Sequence, residues 1–216
     1  MATWFSKLLP GKFLAQQASK PSGLFGRYIV GPMLIRANIA INKLVQHALA
    51  LKKTDYVLEI GYGPGHLIKQ IAGVAVKGKV IGLDYSPTMY NQACRINSKG
   101  LINGHVELHI GDCLTMPFAD ATFDKVCCVN VIYFWSSPID NLREIYRVMK
   151  LGGRFALGFR SAEQLSRLDL NGDIFTLYSP EEIQQLLLEA GFNHAAIEKQ
   201  NGVPFDAYCA TVTKST

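Results

Sequence analysis

Two rhythms of apolar and polar positions run along this chain. From Asp55 onward, short apolar runs alternate with stretches whose apolar residues recur at the 3.6-residue spacing of a helix. The first run predicts a strand over 56–60, followed by a Gly-rich turn and a helix over 66–76. A second strand covers 79–83. Ser86-Pro87 then reads as an N-cap with proline in the first helical position, opening a helix towards Ser98. A third strand alternates over 105–110, and a fourth over 125–130 is almost wholly apolar, as a central strand covered on both faces should be. A helix over 139–149 is stopped by Leu151-Gly152-Gly153, and a fifth strand covers 154–159. Ser179-Pro180-Glu181-Glu182 is a capping box whose helix closes at Gly191.

The end of the chain changes the picture. Strands over 195–199 and 206–213 follow each other with no helix between them, so they must lie antiparallel. The fold predicted is α/β and doubly wound: a mostly parallel seven-stranded sheet closed by a C-terminal antiparallel hairpin.

Charge divides the chain in the same place. Residues 1–55 carry eight Lys/Arg against one acid, Asp55, while the rest carries fourteen basic and sixteen acidic residues. A helical pattern opens at Gly31-Pro32, so residues 1–55 read as an N-terminal helical extension to a core over 56–216. Cys94, Cys113, Cys127, Cys128 and Cys209 are odd in number and form no CxxC pair, which argues for buried thiols, not a disulfide framework or zinc site. With no bilayer-length apolar run and no signal-peptide pattern, a reducing cytoplasm is the expected setting.

The candidate chemistry sits at the first turn, Glu59-Ile60-Gly61-Tyr62-Gly63-Pro64-Gly65, between a strand and a helix. Glycine lets the backbone turn sharply and approach a ligand closely. The spacing is Gly-x-Gly-x-Gly, and His66 stands where a dinucleotide fingerprint would place its third glycine. Glu59, two residues before the first glycine, would repel a pyrophosphate but can receive an ammonium. Asp84 ends the second strand, where a carboxylate can accept from both hydroxyls of a ribose. Together these describe a nucleoside with an amino-acid tail better than NAD.

On these residues the chain resembles the class I S-adenosylmethionine-dependent methyltransferases, especially their ubiquinone-biosynthesis-like small-molecule branch. The resemblance covers about 55–213. Its marks are VLEIGYGPG (57–65), GLDYSPTMY (82–90), GDCLTMPFADATFDKVCCVNVIYFW (111–135), LREIYRVMKLGGRFAL (142–157) and LYSPEEIQQLLLEAGF (177–192). It implies a Rossmann-like core with S-adenosylmethionine as cofactor. Gly61, Tyr62, Gly63 and Gly65 would lie beside the methionine moiety and Glu59 near its ammonium. Asp84 would bind the ribose, Tyr85 and Met89 would flank the adenine, and Asp112 and Cys113 would meet its edge. Asn130 and Val131 would complete the pocket. Tyr62 and Pro64 stand where many relatives have Cys and Thr, which alters the lining of the turn.

For the acceptor, the sequence leaves choices open. Tyr133 is the candidate catalytic residue, as a base, a substrate clamp or plain packing. Trp135 is pocket wall or core, and Arg160 either holds an anionic substrate or ends a strand. Residues 1–31 read as a cover, with Phe25 and Tyr28 facing the substrate, or as packing on the rim; residues 1–20 also permit contact with an anionic membrane surface. No metal-spaced His/Asp/Glu cluster occurs, and displacement at a sulfonium calls for none. A small-molecule acceptor is expected. Membrane-borne lipids or quinones, and a non-catalytic cofactor-binding module, are the alternatives. Nucleic acid is disfavoured because a basic segment attracts phosphate without reading bases.

Overall fold

The computed structural model describes residues 31–166, 175–202 and 206–215. Residues 1–30, including Phe25 and Tyr28 of the expected cover, lie outside them. The first element is α1 (Gly31–Leu49), and β1 (Tyr56–Ile60) leads through the Gly-rich turn into α2 (His66–Val74). Next come β2 (Lys79–Asp84), α3 (Pro87–Ile96), α4 (Ser98–Ile102) and β3 (Val106–Ile110). After β4 (Phe123–Val129) a 3₁₀ turn (Ile132–Phe134) leads to α5 (Pro138–Val148) and directly into β5 (Met149–Phe159). The chain closes with α6 (Ala162–Leu165), α7 (Pro180–Glu189), β6 (Ala196–Gln200) and β7 (Ala207–Thr213).

The seven strands form one sheet in the order β3-β2-β1-β4-β5-β7-β6. β3 to β5 are mutually parallel, and β7 runs antiparallel to both β5 and β6. The predicted doubly wound sheet with its terminal hairpin is the observed one. Strand alternation splits the core in two. Val57, Val80, Cys127, Ala156 and Cys209 face a layer that includes α1 and α2, through Ile41, Val45, Ile68 and Ile71. Leu58, Ile81, Val126, Cys128, Phe155 and Leu157 face α5 and α7 through Leu142, Ile145, Ile183 and Leu187.

The helix termini follow local chemistry. Ser86 Oγ accepts the N–H of Met89, with Pro87 in the first turn of α3. Ser179 and Glu182 complete a reciprocal capping box on α7. Gly191, with φ of +105°, follows that helix as the expected left-handed residue.

One boundary differs from expectation. The pair Gly152-Gly153 does not stop α5; the helix has already ended at Val148, and β5 begins at Met149. The two glycines make a bend within the strand. Gly152 takes a φ of +74°, and a Cβ on Gly153 would press on the Lys150 carbonyl at 2.7 Å. Gly152 donates to Lys214 O, and Lys214 N returns a bond to Gly153 O, so the bend is paired with the chain end. A bulge and a helix stop need the same residue type, and sequence alone did not separate them.

No helix among the described residues is long and apolar enough to cross a membrane.

Candidate functional site

The C-terminal ends of β1, β2 and β4 meet at the Gly-rich turn, and its three glycines have different reasons to be glycine. Gly61, with φ of +68°, donates its N–H to Leu83 O at 2.7 Å, and a Cβ there would collide with the Val131 side chain. Gly65, with φ of +84°, would place a Cβ 2.6 Å from Asn97 Nδ2 and 2.8 Å from Ala93 Cβ. Asn97 Nδ2 itself donates to Gly65 O at 2.9 Å, fastening the turn to α3. Only at Gly63, with φ of +52°, does a Cβ meet nothing within 4 Å. Two glycines are thus required by protein packing, and the third keeps a clear space above the turn. Asn97, buried at the end of α3, carries no sequence signal for this role.

Asp84 fixes the turn to the second strand. Its Oδ2 accepts the Gly63 N–H at 2.8 Å and its Oδ1 accepts the Ser86 N–H at 2.9 Å. Burial raises its pKa, while these two backbone bonds pull it down. Each carboxylate oxygen keeps acceptor capacity beyond its one backbone bond. Gly111 N donates to the Asp84 carbonyl, which brings Asp112 to the same corner.

Glu59 lies one strand over and is buried at 3% exposure. The Ile68 N–H at the start of α2 bonds its carboxyl, but Oε2 is buried with no hydrogen-bond partner. Desolvation pushes its pKa well above the ordinary carboxylate range, and the neighbouring Asp84 charge pushes it further. An unpartnered buried carboxylate oxygen is costly unless something completes it.

The remaining predicted residues divide. Met89 is buried on α3, and Tyr85 is exposed beside Asp84. Tyr62 turns its ring into the core between Gly82 and α2, and its hydroxyl donates to His109 O at 3.1 Å. Its side chain therefore faces the sheet. Asp112 is exposed and caps its own turn through Leu114 N. Cys113 is buried in the α5 side of the core, where desolvation pushes its thiol up to about 12.

Beyond β4 the chain makes a strained step. Asn130 has a φ of +56°, rare for a residue with a side chain but tolerated by Asn. Its Nδ2 donates to Asn38 Oδ1 of α1 at 2.9 Å. Its Oδ1 lies 3.3 Å from the Tyr133 hydroxyl. That hydroxyl accepts the Arg160 N–H and stands 3.1 Å from Arg160 O. Tyr133 is fully buried, and desolvation, the largest influence, raises its pKa. Both faces of its hydroxyl are engaged by the protein, so the arrangement makes it a tie between the ends of β4 and β5. Asn38 is a member of this string that no sequence pattern marked.

Arg160 is buried and donates from Nη1 to Asp206 O at 3.1 Å, and burial lowers its pKa. Trp135 packs half-buried against the core, beside a cluster in which Phe175 contacts Phe134 edge-on at 4.7 Å and stacks on Tyr133 at 5.9 Å. Among the described residues no His/Cys/Asp/Glu group is placed to hold a metal ion.

Known proteins are similar to this chain in sequence and in fold. The methyltransferase domain family matches residues 58–157, from β1 to the middle of β5. The uncharacterized methyltransferase YdaC of Bacillus subtilis is 28% identical over 189 residues, which is 86% of this chain and 98% of that protein. Among solved structures, an S-adenosylmethionine-dependent methyltransferase from Aquifex aeolicus superposes with a TM-score of 0.66 at 23% identity, covering 80% of this chain and 88% of that one. The [4+2]-cyclase SpnF superposes with a TM-score of 0.70 at 18% identity, over 84% and 83% of the two chains. Two chemistries thus appear on one fold, and the fold alone does not choose between them.

Proposed function

We propose that this chain, which the methyltransferase domain family matches over residues 58–157 and which is 28% identical to a Bacillus subtilis methyltransferase, is a class I S-adenosylmethionine-dependent methyltransferase that transfers a methyl group to a small-molecule acceptor. The observation that carries this reading is the orphaned Glu59 Oε2 beside a turn whose central glycine faces open space. An ammonium group can donate to that carboxylate; a pyrophosphate cannot and would be repelled by it. Glu59 would receive the ammonium and Asp84 the ribose hydroxyls, with Gly63 leaving room for the chain between them. Asp112 and Tyr85, at the mouth beside Asp84, would meet the adenine. The side chains of Tyr62 and Cys113 would contribute through the core behind the pocket.

When bound, S-adenosylmethionine supplies a methyl group already activated by its sulfonium, so the demand on the protein is alignment. Asn130 and Val131 would form the wall nearest the reacting centre. The Asn38–Asn130–Tyr133–Arg160 string would hold that wall in place, which makes Tyr133 a positioning residue in this proposal.

Turnover tests the reading. The full chain, S-adenosylmethionine and a panel of phenols, amines, thiols, quinols and lipids should give S-adenosylhomocysteine with at least one soluble acceptor. Turnover restricted to quinols or lipids in vesicles would move the acceptor to the membrane. Tight cofactor binding without turnover on any of them would favour a binding module or a non-methylating enzyme.

A further inference from the structure

Towards the other end of the sheet lies a group of cations that nothing in the methyl-transfer reading uses. Lys125 and Arg154 are direct neighbours in register on the parallel strands β4 and β5. By strand alternation both point to the α1 face, since Cys127 and Ala156, two residues on, lie in that core. Lys52, just past the end of α1, lies close enough for its charge to be felt at Lys125. Like charges placed side by side on neighbouring strands repel, and a half-buried pair repels more than an exposed one.

Among the described residues none of Lys52, Lys125 and Arg154 forms an ion pair, although Lys79, Lys150 and Lys199 each do. The Nε of Arg154 is buried and has no hydrogen-bond partner. Asp55 is the nearest carboxylate that is not already paired, and its Oδ2 accepts the backbone N–H of Lys52. Asp124 is committed to Lys150 and to the Tyr56 N–H. Burial lowers the pKa of Lys125, and Arg154 and Lys52 lower it further, while Asp55 and Asp124 act in the opposite sense. With Asp124 neutralised by Lys150, three cations against Asp55 leave two positive charges in excess.

We propose that Lys52, Lys125 and Arg154 form a binding site for a phosphoryl group at the foot of the sheet, remote from the Gly-rich turn. A dianion matches the excess charge. The guanidinium offers a planar fork suited to phosphate oxygens, with the buried Nε–H as one of its donors, and the two ammonium groups supply point charges around it. The same chemistry can arrive on a free phosphorylated metabolite or on an anionic lipid headgroup.

The test uses the full chain with inorganic phosphate as probe, at fixed ionic strength set with chloride. Calorimetry or ³¹P line broadening should show saturable binding, weakened at least tenfold in Lys125→Gln and in Arg154→Gln and unchanged in Lys77→Gln, an exposed lysine nearby. Lys52→Gln lies outside the strands and keeps the test decisive should either strand variant fail to fold; it too should weaken binding. A second arm compares sedimentation with phosphatidic acid vesicles and with phosphatidylcholine vesicles. Residue-dependent binding of free phosphate assigns the site to a soluble ligand, and residue-dependent binding of the anionic vesicles alone assigns it to a headgroup. Absence of both, or binding indifferent to the three substitutions, overturns the proposal.

Discussion

The amide of Gly63 donates to Asp84 Oδ2 at 2.8 Å, which joins the turn after β1 to the end of β2 as one preorganised unit. Asp84 therefore has two duties in the proposed pocket. Removing it loses contacts to a ligand and also frees the turn. Asp84→Ala is expected to weaken S-adenosylhomocysteine binding by roughly 1.5–3 kcal/mol, the scale of hydrogen bonds to a charged group. Asp84→Asn, which can still accept the Gly63 N–H, should lose less. Calorimetry on both folded variants checks the order; equal affinity to wild type would remove Asp84 from the site.

Glu59 makes a prediction of the opposite sign for stability and binding. Its pKa is raised in the folded protein, so its protonated form is the one the fold favours. Its contribution to stability is present below the ordinary carboxylate pKa, about 4.3, and is lost as pH rises through the raised folded value. Glu59→Gln should therefore make the ligand-free protein more stable than wild type at pH 8, with the gain shrinking towards pH 5. The same variant should bind S-adenosylhomocysteine more weakly. Thermal midpoints at the two pH values, set beside calorimetry, read both effects. A variant that is less stable at pH 8 and binds normally would contradict the role given to Glu59.

The glycines separate packing from ligand space. Gly61→Ala forces a methyl group onto Val131 at a left-handed position, and a loss of about 1–3 kcal/mol is expected from overpacking. Gly61→Ala combined with Val131→Ala should recover part of it. A Cβ at Gly63 meets no protein atom within 4 Å, so the main cost of Gly63→Val to folding is the left-handed backbone, about 1–2 kcal/mol. It should nonetheless abolish measurable cofactor binding. Denaturant melts and calorimetry on the same samples distinguish the two behaviours, and a Gly63→Val protein with full affinity would show that the open space is not the ligand's.

Tyr133→Phe tests positioning against proton transfer. The buried Arg160 N–H loses its partner, which costs about 1–3 kcal/mol of stability. Activity should fall modestly, with the pH profile of kcat/KM unshifted and S-adenosylhomocysteine affinity retained. Loss of the ascending limb of that profile, which reports a group that must be deprotonated, would restore Tyr133 as a base.

Much of this fold was legible because its signals are local. The parallel order follows from alternating runs, and the terminal antiparallel hairpin from two strands with no helix between them. That Glu59 and Asp84 stand beside the Gly-rich turn was legible because each lies at or next to the end of a predicted strand. Residues whose role depends on distant partners were not. Asn97 matters through Gly65, 32 positions away, and Asn38 through Asn130, 92 positions away. Tyr62 stands within the motif, yet its ring turns to His109 on β3, a direction no spacing rule contains. The same limit applies to Gly152-Gly153, where tertiary pairing with Lys214 made a bulge of an apparent helix stop.

The central claim is that an amino-acid ammonium, and not a pyrophosphate, completes the Glu59 carboxylate. Calorimetric titration of the full chain with S-adenosylhomocysteine in buffers of differing ionisation enthalpy tests it most directly. The account predicts saturable binding that releases protons below the raised pKa of Glu59 and tightens as pH climbs towards it. Glu59→Gln should abolish the proton release, and NAD should give no heat of binding. Tight binding of NAD, with no response to S-adenosylhomocysteine at any pH, would contradict the account.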